Sequence, residues 1–331
     1  MEQYQTDGVR TTASGVRDTY YGRPVIKAPH WRWLVIAYFF LGAIAGGSYT
    51  IGTIANLFSR DRAVERASRY LAFAAVLPCP VLLALDLGRP ARAFNMFRVL
   101  KLKSPMSLGS WALIGLFTAS SASAGLQAAS DLSGRDVAPG ARRAVSILGL
   151  PFSVFISGYT GVLLAATNVP LWARNYLLIG PTFVASAFSG SLAALSVLFG
   201  IGGGEREGTA RSLARAEVVC LSTELVALTA GIAHLGTLGK PLTRGRYGRV
   251  FWPGTYIGGI LVPLLLQLAG PVRGRSGSRP RRIATSLLVL SGGFILRMLM
   301  IFAGRESANR PEDYFEYTRR TAKPYEYGSA R

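Results

Sequence analysis

The chain has 331 residues, half of them hydrophobic, and a formal net charge of +20 at pH 7. Only 16% of its residues are charged, which is less than a typical soluble domain carries. The Lys and Arg residues cluster between long apolar runs, and no RNA-binding or zinc-finger pattern accompanies them. These features exclude a nucleic-acid partner and predict a protein that lies in a lipid bilayer.

Eight apolar runs approach the roughly 20 residues that a helix needs to cross a bilayer. We therefore predict an all-α integral membrane protein. Its spans lie at about 33–57, 68–86, 108–128, 144–168, 176–200, 217–238, 250–270 and 283–303. We expect two four-helix bundles, residues 31–168 and 169–303, between a polar N-terminal tail (1–30) and a polar C-terminal tail (304–331). The N-terminal tail lacks the apolar core of a cleavable signal peptide, so the first span is expected to direct insertion.

The first two spans carry residues that shape membrane helices. Gly42 and Gly46 in the first span let another helix approach closely. Pro78 and Pro80 in the second span each remove a backbone donor, so we predict a kink or a local break there.

A charged motif follows the second span: Asp86-Leu87-Gly88-Arg89-Pro90. A carboxylate and a guanidinium three residues apart therefore lie where a membrane helix meets water. Charge at such a depth is costly and usually binds or relays something, although a capped helix end is the simpler interpretation.

The fourth span contains Tyr159 between Gly158 and Gly161. Tyrosines are common at the membrane interface, but this one lies about nine residues before the predicted helix end, which places it deeper. We therefore expect its phenol to face a cavity.

The second half of the chain contains ionisable residues inside its spans. Glu224 and Arg297 lie well inside the sixth and eighth spans, and His234 lies in the sixth. An opposite-charge pair offsets part of the cost of burial, whereas a proton relay would use the same groups. Both interpretations, a structural ion pair and a proton relay, remain open.

Metal and haem sites are poorly supported by the sequence. The chain has two histidines, His30 and His234, whereas a dihaem cytochrome b needs four axial ligands. Cys79 and Cys220 form no CxxC pair. We therefore expect neither haem nor metal in this chain.

A quinone suits the remaining polar groups of the first half. Its ring is apolar on both faces and its two oxygens need hydrogen bonds. Tyr159 or His30 could donate to one oxygen, and Asp86 could accept a proton during quinol oxidation while Arg89 keeps the acid ionised or oriented.

Several blocks together resemble the NrfD/polysulfide-reductase membrane-subunit family. They are Trp31-Arg32-Trp33 through Gly42 with Gly46-Gly47-Ser48, the Asp86–Pro90 motif, Ser104-Pro105-Met106-Ser107-Leu108-Gly109-Ser110-Trp111, Gly158-Tyr159-Thr160-Gly161, and Gly292-Gly293 with Arg297. The resemblance covers nearly the whole chain.

This resemblance implies an eight-helix subunit without haem that binds menaquinone or ubiquinone and oxidises quinol or reduces quinone. It implies a four-cluster iron–sulfur subunit as partner, and through it a molybdopterin catalytic subunit. By the same resemblance, Tyr159 hydrogen-bonds quinone, His30 matches a quinone histidine, and Asp86 and Arg89 match a loop carboxylate and arginine. The subunit is not expected to be active alone.

Charge in the loops predicts the orientation in the inner (cytoplasmic) membrane. The odd-numbered loops hold more Lys and Arg than the even-numbered loops, which places both tails and the 2–3 loop on the outer face.

The alternative function is a secondary transporter, since kinked spans and buried charge also suit alternating access around a midplane substrate site. The terminal substrate and the direction of electron flow are not encoded in this chain.

Overall fold

The computed structural model of the chain describes residues 26–59, 61–87, 98, 100–202, 207–270 and 278–321. Within these residues the secondary structure is helical, with no β-strand. The α-helices in chain order are α1 (Trp33–Phe58), α2 (Arg62–Val76), α3 (Cys79–Asp86), α4 (Pro105–Ser133), α5 (Pro139–Ala165), α6 (Pro170–Arg174), α7 (Tyr176–Gly202), α8 (Glu207–Leu235), α9 (Lys240–Thr243), α10 (Gly245–Val250), α11 (Val262–Ala269), α12 (Arg279–Ala308) and α13 (Pro311–Thr321).

The all-α membrane architecture is confirmed, because the described residues include eight helical segments long and apolar enough to cross a bilayer. Several of them begin earlier than the apolar pattern predicts. For example, α8 begins at Glu207 and α5 at Pro139. Helical hydrogen bonding continues past the apolar core into polar turns, where the Arg211–Glu207 ion pair lies one turn apart on α8.

The second span is broken, as its two prolines predict. Helix α2 ends at Val76 and α3 begins at Cys79, with a turn at Leu77 and Pro78 between them. The second proline, Pro80, lies in the first turn of α3. Backbone N–H groups in a first turn have no acceptor within the helix, so a proline there breaks no helical hydrogen bond.

Helix α1 lies at the centre of the molecule, packing against α2, α5, α7 and α12. Its small residues make this possible. A Cβ atom at Gly46 would lie 2.6 Å from the Ser153 carbonyl oxygen of α5, and one at Gly47 would lie 2.9 Å from the Ala187 carbonyl oxygen of α7. The predicted close approach of helices at this glycine motif is confirmed.

The helices alternate in direction, which gives the bundle two ends. We call the end where α1 begins and α3 ends the tail side. Here Trp31 stacks on Trp172, with ring centroids 5.5 Å apart. The opposite end is the odd-loop side, where the Thr209 hydroxyl bonds to Asp61 and Arg279 donates to the Gly200 carbonyl.

The seventh span contains an unusual element: residues Phe251–Leu261, between α10 and α11, form a π-helix. It packs very closely on α12, because a Cβ atom at Gly259 would lie 2.5 Å from the Gly292 Cα atom. Both residues therefore need to be glycine at this crossing.

The C-terminal region differs from the expected unpatterned tail. Helix α12 continues through Ala308, and α13 follows over Pro311–Thr321. Asp313 in the first turn of α13 is 3% exposed and accepts a hydrogen bond of 3.0 Å from the Ser307 hydroxyl. The apolar pattern missed α13 because it is short and rich in charge, and its docking uses both this buried acid and Tyr317, which packs against the apolar core.

The apolar core has two large parts. One is built mainly from α1 to α5, and the other mainly from α6 to α12. Since α1 also packs against α7 and α12, the division into two four-helix bundles stays a prediction. The predicted N-terminal tail lies outside the described residues up to residue 25.

Candidate functional site

Tyr159 lies on α5, six residues before the helix ends at Ala165 on the tail side. It is 5% exposed, and its ring lies 5.6 Å from that of Phe155, centroid to centroid. The ring packs against the backbone of Gly109 in α4, because a Cβ atom there would lie 2.5 Å from Tyr159 Cε2 and closer still to Cζ and the phenol oxygen. The Ser104–Trp111 motif therefore supplies the surface that positions this tyrosine.

Two further residues complete this cluster from other helices. Tyr38 of α1 is 4% exposed and lies close enough to interact electrostatically with both Tyr159 and Cys79. Cys79, the first residue of α3, is buried, and its thiol donates to the Ala75 carbonyl. We call Tyr38, Cys79, Gly109 and Tyr159 the phenol cluster.

The two phenol hydroxyls of this cluster belong to buried tyrosines. Within the described part of the chain, neither the Tyr38 nor the Tyr159 hydroxyl has a hydrogen-bond partner. The cluster therefore presents two donors to any ligand with acceptor oxygens.

Charged groups lie nearer the tail side than the phenols. Asp86, the last residue of α3, is half-buried and lies seven residues after Cys79 on one face of the chain's second span. That spacing places it about 10 Å further along the helix axis. Its electrostatic partner is Arg32, which caps the start of α1 six residues before Tyr38. Toward the tail side, the chain passes from Tyr38 to Arg32 at the start of α1 and from Cys79 to Asp86 on α3. The charged pair therefore lies on the tail side of the phenol cluster.

The predicted cation for Asp86 was Arg89, which lies outside the described residues together with Gly88 and Pro90. Arg32 is the cation that the structure places beside this acid. His30 is exposed on the segment before α1, and no hydrogen bond or ion pair of the described residues joins it to Tyr159 or Asp86. Of the four predicted quinone-binding residues, Asp86 lies on α3 and Tyr159 on α5, and both of these helices pack against α1.

Glu224 and Arg297 occupy a second polar site, deeper in the membrane. Glu224 Oε2 accepts a hydrogen bond of 2.9 Å from the Ser189 hydroxyl. Arg297 is 1% exposed and donates to the carbonyls of Phe39 and Gly293. Ser186 lies between the two charges, since Arg297 Nη1 lies 3.2 Å from its hydroxyl, which also interacts with Glu224.

His234, the third member of this predicted group, lies apart from it. It is exposed in the last turn of α8, ten residues beyond Glu224 on the tail side. The exposed position agrees with helical periodicity, because a separation of ten residues turns the side chain by roughly 80° around the helix axis relative to Glu224.

The sequence analysis missed three site residues. Tyr38 and Arg32 lie in the block that carries the family resemblance, but nothing in their local pattern pairs them with α3 or α5. Glu217 lies seven residues before Glu224, a spacing that places both on one helix face. It is 0% exposed and accepts a hydrogen bond of 2.9 Å from Gln267 of α11.

No group of three or more His, Cys, Asp or Glu side chains in the described residues is placed to hold a metal ion.

Among known protein families, a family model described as "Polysulphide reductase, NrfD" matches residues 26–307. A search of the curated proteins found no match. The matched range includes every helix of the phenol cluster and of the Glu224 site.

Proposed function

The chain belongs to the NrfD polysulphide reductase family, and on that premise we propose that it is the quinone-binding membrane subunit of a respiratory oxidoreductase complex. Members of this family are membrane subunits of such complexes. In our proposal the phenol cluster binds menaquinone or ubiquinone, and the subunit exchanges electrons with an iron–sulfur partner.

The observation that carries this proposal is the pair of unpartnered phenol hydroxyls, Tyr38 and Tyr159, on facing helices. A quinone has two ring oxygens that accept hydrogen bonds and two apolar ring faces. A hydrogen bond from each phenol to a ring oxygen would use a donor that has no partner among the described residues. The neighbouring Phe155 ring and the bare backbone at Gly109 suit the apolar faces.

The charged pair suits the proton chemistry of the same substrate. Oxidation of one quinol releases two electrons and two protons. Asp86 lies about 10 Å nearer the tail side than Cys79 of the phenol cluster, and an ionised carboxylate there can accept a released proton and pass it to water. Arg32 favours the ionised form of Asp86 and so keeps it ready as an acceptor. Quinone reduction would use the same groups in the opposite sense.

The electrons need an acceptor outside this chain. In the proposed complex they pass to a four-cluster iron–sulfur subunit, and from it to a molybdopterin catalytic subunit. The tail side is the natural docking face, because the phenol cluster lies only about two helical turns from it. The same assignment places the tails and the 2–3 loop at the partner, on the outer face of the cytoplasmic membrane.

The direct test is quinol-linked turnover in membranes that contain the complex. We expect Asp86→Asn to lower turnover by roughly 10²-fold, because general acid–base catalysis typically contributes at least that much. Tyr159→Phe removes one hydrogen bond and should raise the apparent KM for quinol by roughly 2- to 10-fold.

Matched controls are available on the surface of the same chain. Tyr176→Phe changes a tyrosine that is 59% exposed, and Asp136→Asn changes an acid in an exposed ion pair on the odd-loop side. Both should retain wild-type turnover. Unaltered turnover in both Asp86→Asn and Tyr159→Phe would remove the basis of the proposed site.

The same vesicles separate this proposal from a secondary transporter. A transporter would show counterflow of a solute through a midplane site without any electron acceptor. A quinone-binding subunit would show turnover only when both quinol and an electron acceptor are supplied.

A further inference from the structure

Glu217 is a fully enclosed carboxylic acid on the inner face of α8. Its Oε2 atom accepts a hydrogen bond of 2.9 Å from the Gln267 amide, and its Oε1 atom has no hydrogen-bond partner. The residues one turn before and after it, Leu213 and Leu221, are buried and apolar. The environment offers one hydrogen bond to a group that could accept four or more.

An ionised carboxylate would be very unstable at this position. No cation of the described residues pairs with Glu217, whereas Glu224 has Arg297 nearby. Isolated buried charges are so costly that such a group holds a proton instead. The enclosed surroundings therefore favour a carboxyl group that carries a proton at rest.

A metal cation fits the site poorly. Hard cations such as Ca²⁺ and Mg²⁺ take about six or more oxygen ligands. Glu217 and Gln267 together supply at most three side-chain oxygens, and the leucines beside them supply none. A proton is the cation that needs only one oxygen.

Glu217 and Glu224 share one face of α8 and lie about 10 Å apart along its axis. Cys220 lies between them, and its thiol interacts electrostatically with both carboxyl groups. Ser186 and Ser189 then connect Glu224 to the neighbourhood of Arg297. Glu217, Cys220 and Glu224 therefore form a row of polar groups along the buried face of α8, within an otherwise apolar membrane span.

The order of these groups runs from one side of the membrane toward the phenol cluster. Gln267 lies two residues before α11 ends on the odd-loop side, so Glu217 lies near that end. Arg297, at the other end of the series, donates to the Phe39 carbonyl of α1. The residue that precedes Phe39 in α1 is Tyr38 of the phenol cluster.

We propose that Glu217 is a proton-loading site that takes up protons from the odd-loop side and passes them to Glu224. In this step the Glu217 acid loses its proton and the Glu224 carboxylate gains it. Glu224 then passes the proton on toward the phenol cluster, where reduction of one quinone consumes two protons with two electrons, and Glu217 is reprotonated from the odd-loop side. Water molecules would bridge the distance between the two acids, which is too long for a direct hydrogen bond. The inference rests on the proposed function, because quinone reduction by this subunit supplies the demand for protons.

The test uses the whole complex, purified through this chain and reconstituted into vesicles. The complex is supplied with an electron donor and quinone, and quinone reduction and proton uptake from the odd-loop side are recorded in the same preparation, the uptake with a pH-sensitive dye. We expect Glu217→Gln to lower the ratio of protons taken up to electrons transferred by about 10-fold or more, as expected for loss of a proton-transfer group. Glu217→Asp should restore most of the ratio.

The control is Glu207→Gln on the same helix, which changes an acid that is exposed on the odd-loop side and pairs with Arg211. It should leave the ratio at the wild-type value. If Glu217→Gln also keeps the wild-type ratio in an assembled complex, the proposal is wrong.

A second readout does not depend on turnover. The infrared spectrum of the wild type should contain a protonated-carboxyl C=O band that Glu217→Gln removes and Glu207→Gln keeps. A band that persists in Glu217→Gln overturns the proposed protonation of this residue, whatever the vesicles show. Absence of quinone-dependent turnover in the wild type would instead contradict the proposed function, so the two failures are distinguishable.

Discussion

The substitution Gly109→Ala tests whether the position of the Tyr159 ring matters for quinol chemistry. The new Cβ atom would lie 2.5 Å from Tyr159 Cε2, whereas ordinary van der Waals contact begins near 3.4 Å. Because Tyr159 Cζ and the phenol oxygen lie closer still, the ring must move by more than about 1 Å, and a misplacement of about 1 Å can already cost on the order of 10²-fold in rate. We expect quinol-linked turnover to fall by one to two orders of magnitude.

The same change should have a smaller effect on the fold. Inserting one methyl group into a packed interior typically costs about 1–3 kcal/mol of unfolding free energy. The complex should therefore still assemble, and its amount in membranes can be measured on a gel and used to normalise turnover.

Gly125→Ala is the matched control, because it lies on the same helix and a Cβ atom there would have no neighbour within 4 Å. Its turnover should equal that of the wild type. If Gly109→Ala and Gly125→Ala have the same turnover per assembled complex, the position of the Tyr159 phenol is unimportant and our interpretation of the cluster fails.

Two further predictions concern stability. Gly259→Ala should lower the thermal unfolding temperature in detergent, because its Cβ atom would lie 2.5 Å from Gly292 Cα. Such overpacking typically costs about 1–3 kcal/mol of unfolding free energy. An unfolding temperature equal to that of Gly125→Ala would contradict this prediction. At Asp313, burial raises the pKa of the carboxyl above its ordinary value, while Arg310 and Ser307 partly oppose the shift. The protonated acid is therefore favoured in docked α13, and docking should weaken as pH rises from the ordinary pKa through the raised one. Hydrogen-exchange protection of α13 should show this loss, and Asp313→Asn should abolish the pH dependence.

The number of spans and the break in the second span could be predicted because both depend on local composition. An apolar run of bilayer length and a pair of prolines act through their own backbone, whatever packs around them. The close approach at Gly46 was predictable for the same reason, although its partner on α5 was not. The bounds were less accurate, because helices such as α8 continue beyond their apolar core.

The partners within the site could not be predicted from local pattern. The sequence suggests Arg89 for Asp86 because the two are close in the chain, and this stays a prediction because Arg89 lies outside the described residues. The fold brings a second cation, Arg32, to this acid from the start of α1, and no local pattern indicates that pairing. Tyr38 and Tyr159 are similarly distant in sequence and meet only after α1 packs on α5. Such contacts depend on helix rotation, which the apolar pattern of a nearly uniform membrane span specifies only weakly.

Glu217 illustrates what a closer analysis of spacing would have found. Its separation of seven residues from Glu224 indicates one helix face, but it lies at the predicted start of the sixth span, where an acid usually faces water. The longer helix found in the structure moves Glu217 away from the helix end and encloses it.

The most direct test of the central claim is photolabelling of the assembled complex with an azidoquinone, followed by mass spectrometry of the labelled peptides. We expect label on the peptides of the phenol cluster, around Tyr38, Gly109 and Tyr159, and less label in Tyr159→Phe. Label confined to the second half of the chain, or label that excess unlabelled quinone does not compete away, would contradict it.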